Sequence, residues 1–210
     1  FVVVVENGGE RVMAHVANTG RMRELFLLQN PMYIAPAMNV GQRKTAYDLA
    51  LVEIDGVLVS ADSRLPNDLV SEAIEAGRLP EFAEFGEVRR EVILHGSRID
   101  LMLSGPPGDL YLETKSVTLV EDETAIFPDA PTDRGRKHLV SLMKAIDDGH
   151  HAAVAFVVQR PDADRFSPHR FADPAFADTL RRAVKHGVQV FAYLCDVRLS
   201  EIPISAHIPV

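Results

Sequence analysis

The stretch that decides the fold of the second half is Ser97-Arg98-Ile99-Asp100-Leu101-Met102-Leu103, followed by Tyr111-Leu112-Glu113-Thr114-Lys115-Ser116-Val117. Both segments are mostly apolar, and the Gly- and Pro-rich residues 104–108 between them predict a turn. Asp100 interrupts the first predicted strand. Glu113 and Lys115 are two residues apart on the second, so their side chains project from one face. If the strands are neighbours, these three charged side chains converge on one patch.

The predicted patch has the composition of a metal site. Two carboxylates held close together repel each other unless a cation lies between them. Mg²⁺ or Mn²⁺ suits Asp100 and Glu113, because these ions prefer a few hard oxygen ligands and keep water or phosphate in the remaining positions. Such an ion polarises a phosphoryl group, and Lys115 would orient or deprotonate water or neutralise the phosphate. The catalytic candidates are therefore Asp100, Glu113 and Lys115.

The order Asp, twelve residues, then Glu-x-Lys on adjacent strands is the pattern of the PD-(D/E)XK nucleases. A cross-strand salt bridge on a solvated face is the alternative. Glu91, on the preceding predicted strand Val88–Leu94, is a candidate third acid, and a solvated strand-face glutamate is its alternative. Arg98 is a candidate for binding phosphate or substrate.

A polar segment at residues 127–138 precedes a predicted helix. Thr132 or Asp133 caps this helix, and Gly149 ends it. A helix start offers free N–H groups and partial positive charge, which favours phosphate binding. The phosphate or substrate candidates here are Asp129, Arg134, Lys137 and His138. A turn or cap is the alternative for Asp129, and a packed, hydrogen-bonded histidine is the alternative for His138.

The remaining pattern of the second part predicts a mixed sheet covered by helices. The apolar run Ala152–Val158 is typical of an interior strand. Gln159 and Arg160 at its end are weaker candidates, which strand-end solvation explains equally well. A further helix starts at Asp173-Pro174 and stops at Gly187, and the strand Val188–Leu194 follows.

The first part of the chain reads as a small barrel. Five short predicted strands occupy the first 60 residues, and Asn7-Gly8-Gly9 predicts a hairpin turn. An OB-type barrel is the first interpretation. A helix is expected from Asn67, as N-cap, to Gly77. The predicted domains are 1–65, an OB-like barrel that binds nucleic acid, and 66–210, a nuclease-like domain.

A polar, partly basic set of side chains in the first part is the candidate nucleic-acid surface of the barrel, with a purely structural turn as the alternative. OB barrels bind single strands through a basic groove and aromatic platforms. The candidates are His15, Asn18, Arg21, Arg23, Arg43 and Lys44.

Net charge, the length of the apolar runs and the cysteine count exclude some classes of protein. The 210 residues are 47% hydrophobic and 25% charged, with a net charge of −8, which argues against a DNA-coating polycation. No apolar run approaches the roughly 20 residues that cross a bilayer, so no membrane partner is expected. A single cysteine, Cys195, is expected to be a buried structural thiol, and it favours a reducing, cytoplasmic location. Because the chain starts at Phe1 and not at Met, residues are expected to be missing before it.

Several segments resemble the sugar fermentation stimulation protein A family. They are His15–Met22, Pro66-Asn67, Ser97–Asp100, Glu113–Leu119 and the Phe127–Leu139 run. The resemblance implies an OB-type domain followed by a PD-(D/E)XK-like domain, non-specific DNA binding, and a role in regulating sugar-utilisation genes. It carries the nuclease motif over to Asp100, Glu113 and Lys115, with Glu91 as the upstream acid. Thr114 and Pro131 depart from the family pattern, where Val is common.

The sequence therefore predicts a Mg²⁺- or Mn²⁺-dependent nuclease acting on nucleic acid, with DNA as the first candidate substrate. A DNA-binding regulator that does not cut is the second hypothesis. A sugar-binding or structural module is the third, and no residue supports it. The sequence leaves open a monomer or a homodimer.

Overall fold

A computed structural model describes residues 1–37 and 44–210, with Asn7 described by its backbone alone. Among these residues, no helix combines the length and the apolar composition that spanning a membrane would require.

The first domain is a strand-rich barrel. Its strands are β1 (Val2–Asn7), β2 (Glu10–His15), β3 (Met32–Pro36), β4 (Tyr47–Ile54) and β5 (Val57–Ser60). They pair in the order β1-β2-β4-β3, with β5 also on β4. Gly8 and Gly9 take φ values of +60° and +87° between β1 and β2, conformations that glycine adopts without a steric penalty. Apolar side chains from β2, β4 and β5 fill the interior together with Met22 and Leu25.

The second domain is built on a six-stranded sheet. In chain order its elements are α1 (Leu65–Glu75), β6 (Glu87–Leu94), β7 (Ser97–Gly105), β8 (Gly108–Val117), β9 (Val120–Glu121), β10 (Thr124–Phe127), α2 (Asp133–Asp147), β11 (His151–Val158), β12 (Arg165–Pro168), α3 (Pro174–His186), β13 (Gln189–Cys195) and β14 (Ile204–His207). The order across the sheet is β14-β13-β11-β8-β7-β6. Strands β8, β11 and β13 are parallel, and their outer neighbours are antiparallel.

Both faces of this sheet are buried, which explains the continuous apolar run of β11. Val154, Phe156 and Val158 point into a core shared with α2 and α3. Alternate residues Ala153, Ala155 and Val157 point into a second core, which includes α1 and Leu51 of the first domain. The expected fold class, an OB domain followed by a mixed sheet flanked by helices, is confirmed.

The N-terminal ends of α2 and α3 agree with the sequence prediction, and the N-terminal end of α1 differs from it. The Thr132 hydroxyl accepts the N–H of Gly135, which confirms Thr132 as the N-cap of α2. The Asp173 carboxylate accepts the N–H of Phe176, and the predicted start of α3 at Asp173-Pro174 is confirmed. The prediction of Asn67 as N-cap is wrong, because α1 already starts at Leu65. Pro66 fits the first helical turn, where no N–H is needed, and this frees the Asn67 side chain for another contact.

Candidate functional site

The candidate site is a cavity of about 340 Å³ where the two domains meet, called the junction cavity below. Its first-domain wall is a turn, residues 18–22, and its floor is the end of β8. The lining includes Asn18, Gly20, Met22, Asn67, Asp100, Glu113, Thr114, Lys115, Asp129 and Arg134. The sequence candidates Asp100, Glu113 and Lys115 therefore line one cavity.

Glu113 is the centre of a buried charged group. Its Oε1 accepts hydrogen bonds from the Lys115 ammonium and from Nδ1 of His138. His138 lies on α2, and its Nε2 accepts a hydrogen bond from Nε of Arg134 at 3.4 Å. Because that nitrogen is an acceptor, the bond network assigns the proton of the neutral ring to Nδ1. The geometry confirms that Glu113 and Lys115 project from one face of β8, and it shows that His138 joins them.

The surroundings of Glu113 keep it ionised. Burial acts to raise the pKa of the Glu113 carboxyl. The positive charge of Lys115 and the hydrogen bond from His138 outweigh burial, and the pKa lies below its ordinary value of 4.5. The site thus holds a carboxylate, not a carboxylic acid, at neutral pH.

Asp100 reaches the cavity from the other side of β8, where Thr114 lies. Its Oδ2 accepts hydrogen bonds from the backbone N–H of Thr114 at 2.8 Å and from the Thr114 hydroxyl at 3.0 Å. Its Oδ1 accepts a hydrogen bond from Nδ2 of Asn67 at 3.1 Å. Asn67 Oδ1 is also bonded to the Thr114 hydroxyl. The sequence did not identify Asn67 and Thr114 as site residues. It predicted Asn67 as an N-cap and gave Thr114 no role.

Three oxygen atoms are the ligands that a small hard cation would use if it bound in this cavity. Glu113 Oε2 is buried and has no hydrogen-bond partner, and Asp100 Oδ1 has a single donor. The Thr114 carbonyl oxygen, which accepts a hydrogen bond from Lys115 at 3.1 Å, is a third oxygen nearby. In the part of the chain that the structure describes, no group of three or more His, Cys, Asp or Glu side chains could hold a metal ion. Two carboxylates with water suit Mg²⁺ or Mn²⁺, which retain several waters.

Three predicted site residues lie away from the cavity. Glu91 and Arg98 do not line it; they form an exposed ion pair, with Arg98 Nη1 3.6 Å from Glu91 Oε1. Lys137 is exposed on α2, and its ammonium donates to the carbonyl oxygen of Gly96 at 3.2 Å. The structure therefore does not bring Glu91, Arg98 or Lys137 to the carboxylates, whereas Arg134 lines the cavity.

Asp129 lines the cavity, but its carboxylate is engaged by the first domain. Oδ2 accepts the backbone N–H groups of Arg21 at 2.6 Å and Met22 at 3.0 Å. This carboxylate would repel a phosphate. The N–H groups of Arg21 and Met22, which could otherwise donate to a phosphate, are already bonded to Asp129. In the structure the Asp129 carboxylate contacts the first domain, and its role in binding phosphate or substrate stays a prediction.

The first-domain candidates are scattered. Asn18 is held by the carbonyl oxygen of Ala61 and by the N–H of Gly20, each at 2.9 Å, so it stabilises a turn that lines the cavity. His15 Nδ1 lies 3.3 Å from Asp48 Oδ1. The exposed cations are Arg21, Arg23 and Lys44, and Arg43 lies outside the described residues.

Gln159, one of the weaker candidates, joins the two domains. Its side chain accepts a hydrogen bond from Ser116 at 2.6 Å and donates to the carbonyl oxygen of Asp62 at 3.0 Å. Arg160 is buried and holds Asp162 and the Thr118 carbonyl oxygen. Both side chains organise the end of β11.

Family models cover nearly the whole chain. One described as the sugar fermentation stimulation protein RE domain matches residues 64–201, and one described as the SfsA N-terminal OB domain matches residues 1–61. The chain belongs to the sugar fermentation stimulation protein family. A family homolog from Desulforamulus reducens is 44% identical over the entire chain and 87% of its own length. One from Chloroflexus aurantiacus is 43% identical over the entire chain and 81% of its length.

A solved member of the sugar fermentation stimulation protein family has the same fold. The Pyrococcus furiosus protein SfsA, described as a complex with Ca²⁺, superimposes with a TM-score of 0.92 at 32% identity. The superposition covers 100% of this chain and 90% of the solved chain.

Proposed function

We propose that this family member is a divalent-metal-dependent nuclease that hydrolyses phosphodiester bonds, with DNA as the first candidate substrate. The observation that carries the proposal is Glu113, a buried carboxylate with an unpartnered oxygen next to Lys115, in the same cavity as Asp100. The description of the P. furiosus relative as a complex with Ca²⁺ supports a cation on this fold, because Ca²⁺ and Mg²⁺ share a preference for oxygen ligands.

Each residue has a defined role in this proposal. Asp100 and Glu113 would hold the Mg²⁺ or Mn²⁺ ion, which supplies Lewis-acid polarisation of the phosphate and a more acidic bound water. Hydrolysis forms one P–O bond from water and breaks one ester P–O bond. Lys115 neutralises the charge that develops on the phosphate. His138 donates to Glu113 and thereby fixes its orientation, and Arg134, at the start of α2, binds the phosphate.

A cleavage assay tests the proposal. Labelled single- and double-stranded DNA and RNA are incubated with EDTA, Mg²⁺ or Mn²⁺, using the wild type, Glu113→Gln and Lys115→Ala. We expect cleavage with metal only, and its loss in both variants. Glu72→Gln, a change on the exposed face of α1, is the matched control. Full metal-dependent activity in both site variants would show that the assignment is wrong.

The second candidate is a DNA-binding regulator that does not cut. The observation in its favour is that Lys115 already compensates the charge of Glu113 without a metal, and that His138 donates a hydrogen bond to the same oxygen. In this case no substrate is cut with any metal, while binding persists and falls steeply with salt, because phosphate contacts release counterions. Binding that is flat across salt would contradict this alternative.

A further inference from the structure

The turn of the first domain at residues 17–22, which contributes Asn18, Thr19, Gly20 and Met22 to the lining of the junction cavity, is tied to the second domain. We call it the cover turn. Asp129 Oδ2 accepts the N–H groups of Arg21 and Met22 at 2.6 and 3.0 Å. The approach is close enough that a Cβ on Gly20 would lie 2.7 Å from the same oxygen. Charge-assisted bonds of this kind are among the stronger hydrogen bonds of proteins. One end of the cover turn is therefore held against the second domain.

The other end of the cover turn is tied to the segment that links the domains. Asn18 Nδ2 donates to the carbonyl oxygen of Ala61 at 2.9 Å. The carbonyl oxygen of Ala17 accepts both the backbone N–H of Ser63, at 2.9 Å, and its hydroxyl, at 2.8 Å. With both ends bonded, the cover turn is a fixed wall.

The proposed catalytic groups line the same cavity as the cover turn and are largely buried. The side chains of Glu113 and Lys115 are only 3% and 14% exposed. The cavity volume of about 340 Å³ is at the lower end of the roughly 300–1,000 Å³ of small-molecule sites. A phosphate must enter this space to reach Glu113. In a duplex, each phosphate belongs to a structure that also contains stacked base pairs and a second strand. The grooves of that duplex are about 6–12 Å wide, so the whole duplex is too wide to enter the cavity together with its phosphate.

The lining of the cavity combines apolar and charged residues. It includes Met22, Val117 and Phe127 as well as Asp100, Glu113 and Lys115. A nucleotide that has left its stack likewise combines a flat apolar base and a charged phosphate. In addition, the net charge of −8 opposes the wide electrostatic footprint that a duplex needs.

We infer that the junction cavity accepts nucleic acid only as an unpaired strand, with the cover turn of the first domain excluding continuous duplex. This inference rests on the proposed function, since it names the substrate of the same site. The first domain then selects the substrate from the wall that it contributes to the cavity.

The test compares one DNA sequence in three forms: single-stranded, blunt duplex, and duplex with a single-stranded overhang. With the full chain and Mn²⁺, we expect the single strand and the overhang to be cut about tenfold or more faster than the blunt duplex. Equal cutting of the blunt duplex would overturn the inference while leaving the nuclease intact. Anisotropy binding in Ca²⁺ is measured in parallel. If no DNA form is cut, the nuclease proposal fails, and the binding data decide the inference separately. Binding of the single strand about tenfold tighter than the blunt duplex still supports the inference. Equal binding of the two forms overturns it.

A variant of the cover turn tests the cause of the selection. Asp129→Ala removes the acceptor of Arg21 and Met22, so the single-strand preference should fall by several-fold as the turn moves away. Gly20→Ala, which places a Cβ against Asp129, should have the same effect by a different route. Asp178→Ala, an exposed carboxylate on α3, is the control and should retain the preference. Retained preference in both cover-turn variants, with the fold intact by circular dichroism, would contradict the role of this turn.

Discussion

The hydroxyl of Thr114 and its backbone N–H both donate to Oδ2 of Asp100, at 3.0 and 2.8 Å. Thr114 lies between Glu113 and Lys115 in the chain, so one residue orients the carboxylate of the neighbouring strand while its two neighbours form the opposite side of the site. The side chain of Asn67 completes this arrangement from α1.

Thr114→Val should weaken the hold on Asp100 while keeping the shape of the side chain. The single hydroxyl proton of Thr114 lies between Oδ1 of Asn67 and Oδ2 of Asp100, so its loss leaves one of these partly buried acceptors short of a donor. We expect the free energy of unfolding to fall by about 1–3 kcal/mol. Urea denaturation measures this change. Thr179→Val, which removes a hydroxyl bound to the Ala175 carbonyl oxygen inside α3, is the control and should cost less.

The same substitution should lower Ca²⁺ affinity, measured by calorimetry, and Thr114→Ser should restore it. A merely structural hydroxyl would change stability without changing the affinity for the ion. Unchanged Ca²⁺ affinity in Thr114→Val would therefore remove Thr114 from the site.

Because of Glu113, the free energy of unfolding should depend on pH in the acid range. Its folded-state pKa lies below the ordinary value of 4.5, because Lys115 and His138 outweigh the effect of burial. A carboxyl with a lowered folded pKa stabilises the fold above its unfolded pKa, and this contribution is lost as pH falls through the folded pKa. Glu113→Gln should therefore flatten the decline of the free energy of unfolding from pH 5 downward. Urea titrations at several pH values check this, and Glu72→Gln should keep the wild-type slope.

Arg134 is the cation expected to meet phosphate at the mouth of the cavity. Arg134→Gln should weaken DNA binding uniformly across sequences and reduce the salt slope by about 1, since one phosphate contact is lost. Anisotropy titrations over a series of salt concentrations measure the slope. Arg182→Gln, at an exposed position of α3, should leave it unchanged. An equal slope in both variants would place phosphate binding elsewhere.

Asp173 joins the starts of α2 and α3. Its Oδ1 accepts the N–H of Phe176 at 2.9 Å, and its Oδ2 accepts the N–H of Thr132 at 2.8 Å. Asp173→Ala should lower the free energy of unfolding by about 2–4 kcal/mol, because a helix cap and a second, partly buried donor lose their acceptor. Thermal and urea unfolding measure the loss. Asp178→Ala, with an exposed carboxylate on the same helix, should change stability little, and a comparable loss there would refute the capping argument.

Cys195 should be chemically silent in the folded protein. The thiol is fully buried in the core beside β11, and burial raises its pKa to about 12, so almost no thiolate is present near neutral pH. A disulfide reagent should react with one thiol in urea and with none under native conditions. Rapid native reaction would show that this core opens readily.

Local features were decided by the sequence itself. The alternation of β8 placed Glu113 and Lys115 on one face, and the caps Thr132 and Asp173 set the starts of α2 and α3 within a residue. The apolar run of β11 identified an interior strand, and the setting of Cys195 identified a buried thiol. Each of these depends on neighbours within a turn of helix or a few strand residues, where side-chain periodicity and backbone hydrogen bonding act directly.

Tertiary structure decided the contacts that the chain cannot encode locally. Asn67 reaches Asp100 across 33 residues, and Asp129 binds Arg21 across 108. Four short strands, β9, β10, β12 and β14, have too few residues to show a period and form only through pairing with distant partners. The sequence places Glu91 on a strand next to the motif and Asp129 before a helix start, and neither pattern shows which partner the side chain contacts. Their side chains were placed by sheet geometry and by the docking of the first domain, because hydrogen-bond partners far apart in sequence meet only after the two domains pack.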